Sequence, residues 1–290
     1  MSKVKKCVIP AAGMWTRFLP ASKALPKEMF PIIDKPVMQL LVEEAISAWC
    51  NDIIIVTGRN KRAIEDHFDS NFELEKKLES SNKFESLEKV KMLNSMANIS
   101  YIRQPYPRWD WEAILRAKNF LWDEPFLVLF WDDIIDWEKT AAQQLVEAYN
   151  RKNCPVIATI PVSDEEVSSY WVIETSLRDG KSFVVDRFLE KPNANETKSR
   201  NWVVGKYVLN SDIFPYLEDA ASKKVSWEIR LADAFEMMRK DKDIYWLNIE
   251  WDRFDTWSKI WFLKATIAFW LKNNELKDEL RNYIKSLNIK

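Results

Sequence analysis

The sequence predicts an α/β fold: a doubly wound, mostly parallel sheet, followed by a β-rich lobe and C-terminal helices. Three observations lead there. In the first half, short β-branched runs alternate with segments of helical period. In the second half, four strand-like runs follow one another with fewer helices between them. Directly after the first strand comes Pro10-Ala11-Ala12-Gly13, a small-residue stretch of the kind found where a parallel sheet meets a ligand.

Each element has its own signal. Val4–Pro10 reads as a short buried strand ended by that stretch. Pro36–Ala48 carries Val37, Leu40, Leu41, Ala45 and Ala48 at helical spacing. Asp52–Thr57 (DIIIVT) is a buried parallel strand stopped by Gly58, and Lys61–Phe68 opens a helix. Residues 70–97 are rich in lysine and glutamate and read as an exposed helical insertion. Ile99–Gln104 is a strand, Glu112–Phe120 a helix, and Phe126–Phe130 (FLVLF) a strand running into Trp131-Asp132-Asp133. Beyond it, Val156–Pro161, Trp171–Thr175, Ser182–Leu189 and Val203–Leu209 read as strands, Ser211–Leu217 and Glu228–Arg239 as helices, and Ile244–Ile249 as a last strand. Ile260–Asn288 is a helical tail with Phe262, Leu263, Ile267 and Leu271 on one stripe. No internal repeat or low-complexity linker interrupts the 290 residues. One continuous domain is therefore expected, with halves at 1–150 and 151–259 and a tail at 260–290.

Composition narrows the functional classes. Lys and Arg number 43 and Asp and Glu 44, a formal charge of −1. That balance argues against nucleic acid or an anionic membrane as the main partner. The three cysteines, Cys7, Cys50 and Cys154, are far apart, which disfavours a disulfide framework or a Cys-based zinc site. A single histidine, His67, excludes any two-histidine mechanism. No apolar run approaches the roughly 18 residues of a membrane span. The basic start, Met1 to Lys6, lacks the long apolar core of a secretory signal. A cytoplasmic location is expected.

Four places could carry chemistry. Ala11, Ala12 and Gly13 would let backbone N–H groups approach a phosphate chain, with Arg17 and Lys27 as nearby cations. A Pro-rich surface loop with solvated cations is the other reading. Asp132-Asp133 follows a buried strand, where ligands bind in open α/β sheets; its oxygens suit Mg²⁺, although Asp is also common in turns. Glu190-Lys191-Pro192 ends a strand and could hold a sugar hydroxyl and a phosphate, or be a surface ion pair. Asp255 is either a second metal ligand or a turn residue.

In this order, these pieces resemble the sugar nucleotidyltransferase family, whose domain is Rossmann-like. The similarity runs from Pro10-Ala11-Ala12-Gly13 through Thr57-Gly58-Arg59, Arg62–Phe68 and Arg103-Gln104 to Phe262-Leu263-Lys264-Ala265. Lys61–Asp69, Glu190-Lys191-Pro192 and Val203-Val204-Gly205 point to its uridylyltransferase branch. The resemblance implies transfer of the uridylyl group of UTP to glucose 1-phosphate, giving UDP-glucose and pyrophosphate, with Mg²⁺ as cofactor. It implies that Arg17 and Lys27 hold the triphosphate, and that Ala11, Ala12, Gly13, Glu28, Gln104 and Trp109 form the nucleotide site, with Gln104 reading uracil. It gives Trp171, Glu190, Val204 and Gly205 to a sugar-binding lobe, Lys191 to the sugar phosphate, and Asp132 and Asp255 to the metal. A homo-oligomer, dimer or tetramer, is also implied. The alternatives are a thymidylyltransferase, another sugar, or a non-catalytic sugar-nucleotide-binding homologue.

Two departures stand out. The chain has 4 glycines and 15 tryptophans; together they approach the usual glycine share of roughly 7%. The family resemblance has glycine at Trp15, Trp49, Trp109, Trp111, Trp131, Trp171, Trp227, Trp251, Trp257 and Trp261. We read these as UGA codons that the source organism translates as glycine; Trp122, Trp137, Trp202, Trp246 and Trp270 stay open. The second departure is Trp109-Asp110-Trp111-Glu112-Ala113, where the family has glycine, a small or apolar residue, glycine, histidine and alanine. Glu112 thus replaces a histidine beside the expected base site.

Overall fold

A computed structural model describes residues 3–13, 17–106, 110–136, 138–178, 182–223, 231–250, 252–255 and 259–287. Its strands and helices in chain order are β1 (Lys6–Pro10), β2 (Pro31–Ile32), β3 (Lys35–Pro36), α1 (Val37–Ser47), β4 (Asp52–Thr57), α2 (Arg62–Phe68), α3 (Phe72–Ser80), α4 (Phe84–Ser95), β5 (Asn98–Arg103), α5 (Asp110–Leu121), β6 (Phe126–Leu129), β7 (Asp133–Asp136) and α6 (Ala141–Lys152). There follow β8 (Val156–Pro161), β9 (Trp171–Arg178), β10 (Ser182–Glu190), β11 (Asn201–Leu209), α7 (Ile213–Lys223), α8 (Leu231–Met238), β12 (Tyr245–Asn248), β13 (Asp252–Asp255), α9 (Lys259–Lys272) and α10 (Lys277–Ser286).

Among the described residues, one sheet runs in the order β5-β4-β1-β6-β11-β8-β12-β10-β9. From β5 to β6 every neighbour is parallel. β11 then pairs antiparallel with both β6 and β8. β8–β12 is parallel, and β10 is antiparallel to β12 and β9. The parallel part is wound on both faces, and the sequence shows how. Ile53 and Ile55 of β4 pack in one apolar cluster with Val37, Leu41 and Ala45 of α1. Ile54 and Val56 pack in the other with Ala113, Ile114 and Ala117 of α5. Successive side chains of a strand point to opposite faces, so an unbroken apolar run is what a sheet covered on both sides requires.

A buried ion pair ties three elements together. Lys206 Nζ of β11 lies 2.8 Å from Glu44 Oε2 of α1, and the Lys206 side chain is 0% exposed. The other carboxylate oxygen, Oε1, accepts from the backbone N–H of Ala142 at 3.1 Å, in the first turn of α6. That N–H has no partner within its own helix. Thr140 and Gln143 close the same helix start as a capping box.

The structure differs from expectation in three places. The insertion is helical and largely exposed, as expected, but divides into two helices, α3 and α4. β7 and β13 form a separate two-stranded ribbon that no apolar pattern announced; both read DxxD with two central residues. The tail breaks at Asn273, whose Oδ1 accepts from the N–H groups of Glu275 and Leu276. Its buried stripe is also shifted. Phe262, Ala265 and Phe269 meet the core, with Phe262 edge-on to Phe18 at 5.6 Å, while Leu263 and Ile267 are exposed. The expected stripe started on the correct residue but rotated away from the docked face. The expected helix Glu228–Arg239 is described only from Leu231, since residues 224–230 lie outside the described set.

The backbone bears on the tryptophans. Trp49 has φ 66° and Trp122 φ 49°, both in the left-handed region that favours glycine. After α1, the N–H of Trp49 donates to Ile46 O and that of Cys50 to Ala45 O. That pair of bonds is the Schellman ending, whose left-handed residue is usually glycine. Trp15, Trp109, Trp137, Trp227, Trp251 and Trp257 lie outside the described residues.

Candidate active site

The carboxyl ends of β1, β4, β5 and β6 open onto two cavities. The first, about 470 Å³, is lined by Ala12 and Gly13 after β1, Gly58 to Lys61 after β4, Gln104 after β5, and Lys27. The second, about 540 Å³, is lined by Arg17, Asp132 and Asp133 after β6, Tyr170 and Lys191 beside β9 and β10, and Gly205 of β11. Loops collect here because each parallel strand ends at the same edge, and the chain must turn there to reach its crossover helix.

Two glycines permit the close approaches that shape these walls. A Cβ at Gly58 would lie 2.8 Å from Ala12 O, so the first loop could not sit against β4 with any larger residue. A Cβ at Gly205 would lie 2.8 Å from Phe130 Cβ, beneath the floor of the second cavity.

Lys27 lines the first cavity, within reach of the Asp132 charge at the second. Its ammonium lies 3.6 Å from where a Cβ of Gly13 would be and 3.8 Å from the Trp131 ring centre. Burial lowers its pKa to about 8, against the opposing pull of the Glu28 and Asp132 charges, while Lys61 lowers it further. A lysine held close to neutrality is ready to gain from an arriving anion.

Several expected residues take other places. The Ala11 N–H donates to Val56 O at 2.8 Å, prolonging the β1–β4 pairing, so it is engaged within the sheet; Ala12 and Gly13 form the wall instead. Glu28 is 0% exposed, and both its oxygens accept from Lys61 Nζ, at 2.7 and 2.9 Å. It braces the wall from behind rather than facing a ribose. Val204 is buried in the core, whereas its neighbours Val203 and Gly205 line the second cavity together with Trp202 and Tyr207 of the same strand. Trp171 and Glu190 pair across β9 and β10, and the wall beside them is Tyr170 and Lys191. Lys191 has φ 44°, which takes it out of the strand's alternation, and its N–H donates to Tyr170 O. Arg17 lines the second cavity, whereas Lys27 lines the first. Trp109 lies outside the described residues.

For Mg²⁺, the donor chemistry fits. Asp132 and Asp133 contribute hard carboxylate oxygens at the second cavity. The β7–β13 ribbon sets the Asp255 backbone opposite Asp133, one residue from Asp132. The Asp255 side chain is outside the described set. Among the described residues, no group of three His, Cys, Asp or Glu is gathered as a metal cage. Magnesium sites take one or two carboxylates and complete the shell with substrate phosphates and water.

Sequence reasoning missed Lys61, which pairs with Glu28 across 33 residues. It also missed the aromatic wall of Tyr170 stacked on Trp202 at 3.9 Å. Lys61 showed only as the start of a helix, and the stack joins residues that the sequence leaves far apart.

This architecture, a parallel sheet with a basic, glycine-shaped loop edge and carboxylates at the next strand, defines a nucleotide-binding transferase class. The family model described as nucleotidyl transferase matches residues 6–268, and the chain belongs to that family. Within it, a UTP–glucose-1-phosphate uridylyltransferase 2 of Staphylococcus saprophyticus is 44% identical over 100% of both chains. A UTP–glucose-1-phosphate uridylyltransferase of Staphylococcus haemolyticus is 44% identical over 99% of both. A UTP-bound UGPase from Acinetobacter baumannii superposes with TM-score 0.90 at 33% identity, covering 99% of this chain and 100% of that one. A UDP-glucose pyrophosphorylase complexed with UDP-glucose gives TM-score 0.82 at 35% identity, over 93% and 100%.

Proposed function

We infer that the chain transfers the uridylyl group of UTP to glucose 1-phosphate. A phosphate oxygen of the sugar phosphate attacks the α-phosphorus of UTP in line. The bond from that phosphorus to the bridging oxygen breaks, and pyrophosphate leaves with the electron pair. No protein nucleophile is needed, which accords with a chain that has one histidine. Catalysis is positioning and charge neutralisation.

The roles follow the two cavities. Ala12 and Gly13 present backbone to the nucleotide, and Gln104 reads its base. Lys27 takes the triphosphate, and Arg17 meets it from the second cavity. Lys191 holds the sugar phosphate, with Tyr170, Val203 and Gly205 around the glucose. Asp132 and Asp255 would hold Mg²⁺, which when bound neutralises phosphate charge. The observation that carries this reading is Lys27 lining the first cavity within reach of the Asp132 charge, with Asp132 and Lys191 both lining the second.

The reading includes a cytoplasmic setting and a homo-oligomer. The first accords with three free cysteines, two of them buried, and with the absence of a helix long and apolar enough to cross a membrane among the described residues. The second is supported by exposed Ile260, Leu263 and Ile267 on α9.

Pyrophosphate release from UTP and glucose 1-phosphate tests the reaction, and no release in the presence of Mg²⁺ would overturn it. Lys191→Ala is expected to raise KM for glucose 1-phosphate at least about tenfold, the scale of a lost charge-assisted bond, and KM for UTP much less. Equal losses for both substrates would remove Lys191 from the sugar-phosphate site.

A further inference from the structure

Gln104 and Glu112 form a buried pair behind the first cavity. Gln104 is 2% exposed and Glu112 4%. Gln104 Nε2 donates to Glu112 Oε2 at 2.9 Å. The other oxygen of Glu112 accepts from Arg116 Nη2 at 2.9 Å, one turn further along α5. Gln104 is itself held by its backbone N–H, which donates to Thr57 O at 2.8 Å. The backbone of the glutamine and the carboxylate beside it are thus both anchored.

A primary amide has one polar atom that donates and one that accepts, and rotation by 180° exchanges them. A glutamine free to turn can therefore serve two bases equally. Uracil offers an N3–H donor beside carbonyl acceptors. Cytosine offers an N3 acceptor beside an amino donor. A carboxylate paired with a guanidinium accepts and does not donate, so only the Nε2 of Gln104 can face Glu112. The oxygen of the amide is then fixed on the other side.

We propose that Glu112 is a positioning residue that locks the Gln104 amide in one orientation and so makes the nucleotide site select uracil over cytosine. This rests on the reading of Gln104 as the base contact. Glu112 does not touch the nucleotide; it acts through Gln104. Arg116 acts one step further back, holding the carboxylate.

The test is direct binding of UTP and CTP, by calorimetry with Mg²⁺ and without sugar phosphate. Reading binding alone keeps the result separate from transfer: a protein that prefers UTP but releases no pyrophosphate would sink the transfer reading and leave this one standing. The wild-type chain should bind UTP more tightly than CTP. Glu112→Gln keeps size and shape but can offer Gln104 either an oxygen or a nitrogen, so both amide orientations become satisfied. The UTP/CTP affinity ratio should fall by about tenfold, the scale of one base-reading hydrogen bond. Arg116→Ala, at a half-exposed side chain whose loss leaves the core intact, should lower the same ratio by less. A structural role alone would weaken both nucleotides equally. An unchanged ratio in both variants, or a wild-type chain that binds the two nucleotides alike, would overturn the proposal.

Discussion

The surroundings of Lys27 set the pH dependence expected of the proposed reaction. Burial lowers its pKa to about 8, well below the ordinary lysine value. Below that pH the ammonium is charged and able to meet a triphosphate; above it, the free enzyme loses the cation. The pH dependence of kcat/KM reports groups of the free enzyme. We expect kcat/KM for UTP to decline above pH about 8, by roughly tenfold per unit once the lysine is neutral. Bound triphosphate favours the charged form, so the corresponding limb of kcat should lie at higher pH. A kcat/KM profile flat well into the alkaline range would remove the Lys27 charge from UTP binding. Lys27 itself was legible in the sequence as a cation after a small-residue loop. Its burial was not, because residue 131 after β6 and Lys61 after β4 come to it from other elements.

At the scale of elements, the Glu44–Lys206 pair holds α1, the start of α6 and β11 in one arrangement. Breaking one half of such a buried pair strands a charge, at a cost of about 3–5 kcal/mol. Lys206→Met should therefore lower stability by that order in urea denaturation. Adding Glu44→Gln should recover a large part, since the amide oxygen can still accept from Ala142 N–H and no buried charge remains. A double variant no more stable than the Lys206→Met single would show that the pair's charge is not what the fold depends on. Helix and strand boundaries in the parallel half were legible because periodicity is local: Asp52–Thr57 was read with the bounds the structure gives. The β7–β13 ribbon was not, since its two segments lie over 100 residues apart and carry no alternating apolar pattern.

For the whole molecule, the glycine deficit and the tryptophan excess meet the backbone. An L-residue other than glycine in the left-handed region costs roughly 1–2 kcal/mol, and Trp49 stands there, largely exposed; Trp122, one of the open positions, stands there too, with Lys6 Nζ 4.5 Å over its ring. Buried indoles add a second cost: the Nε1 of Trp111 has no hydrogen-bond partner. Glycine at the recoded positions removes both. The expected outcome is a native protein lighter by about 129 Da for each such position, a difference of residue masses, read in one intact-mass spectrum. A mass matching 15 tryptophans would overturn the recoding.

By itself, the sequence determined the alternation of strands and helices, the small-residue loop after the first strand, and the family. These depend on near neighbours: apolar period, small residues after a strand, motifs in order. Which atoms face the cavities was decided only by the tertiary structure. Ala11 and Ala12 are adjacent, yet one N–H is taken by β4 and the other residue lines the wall. Val203 and Val204 are chemically identical, and the position of β11 between β6 and β8 settles which one meets the second cavity. Glu28 reads as a ligand-facing carboxylate until Lys61 arrives from beyond β4 to claim both its oxygens. Register and long-range pairing act across the sheet, and no local stretch of sequence carries them.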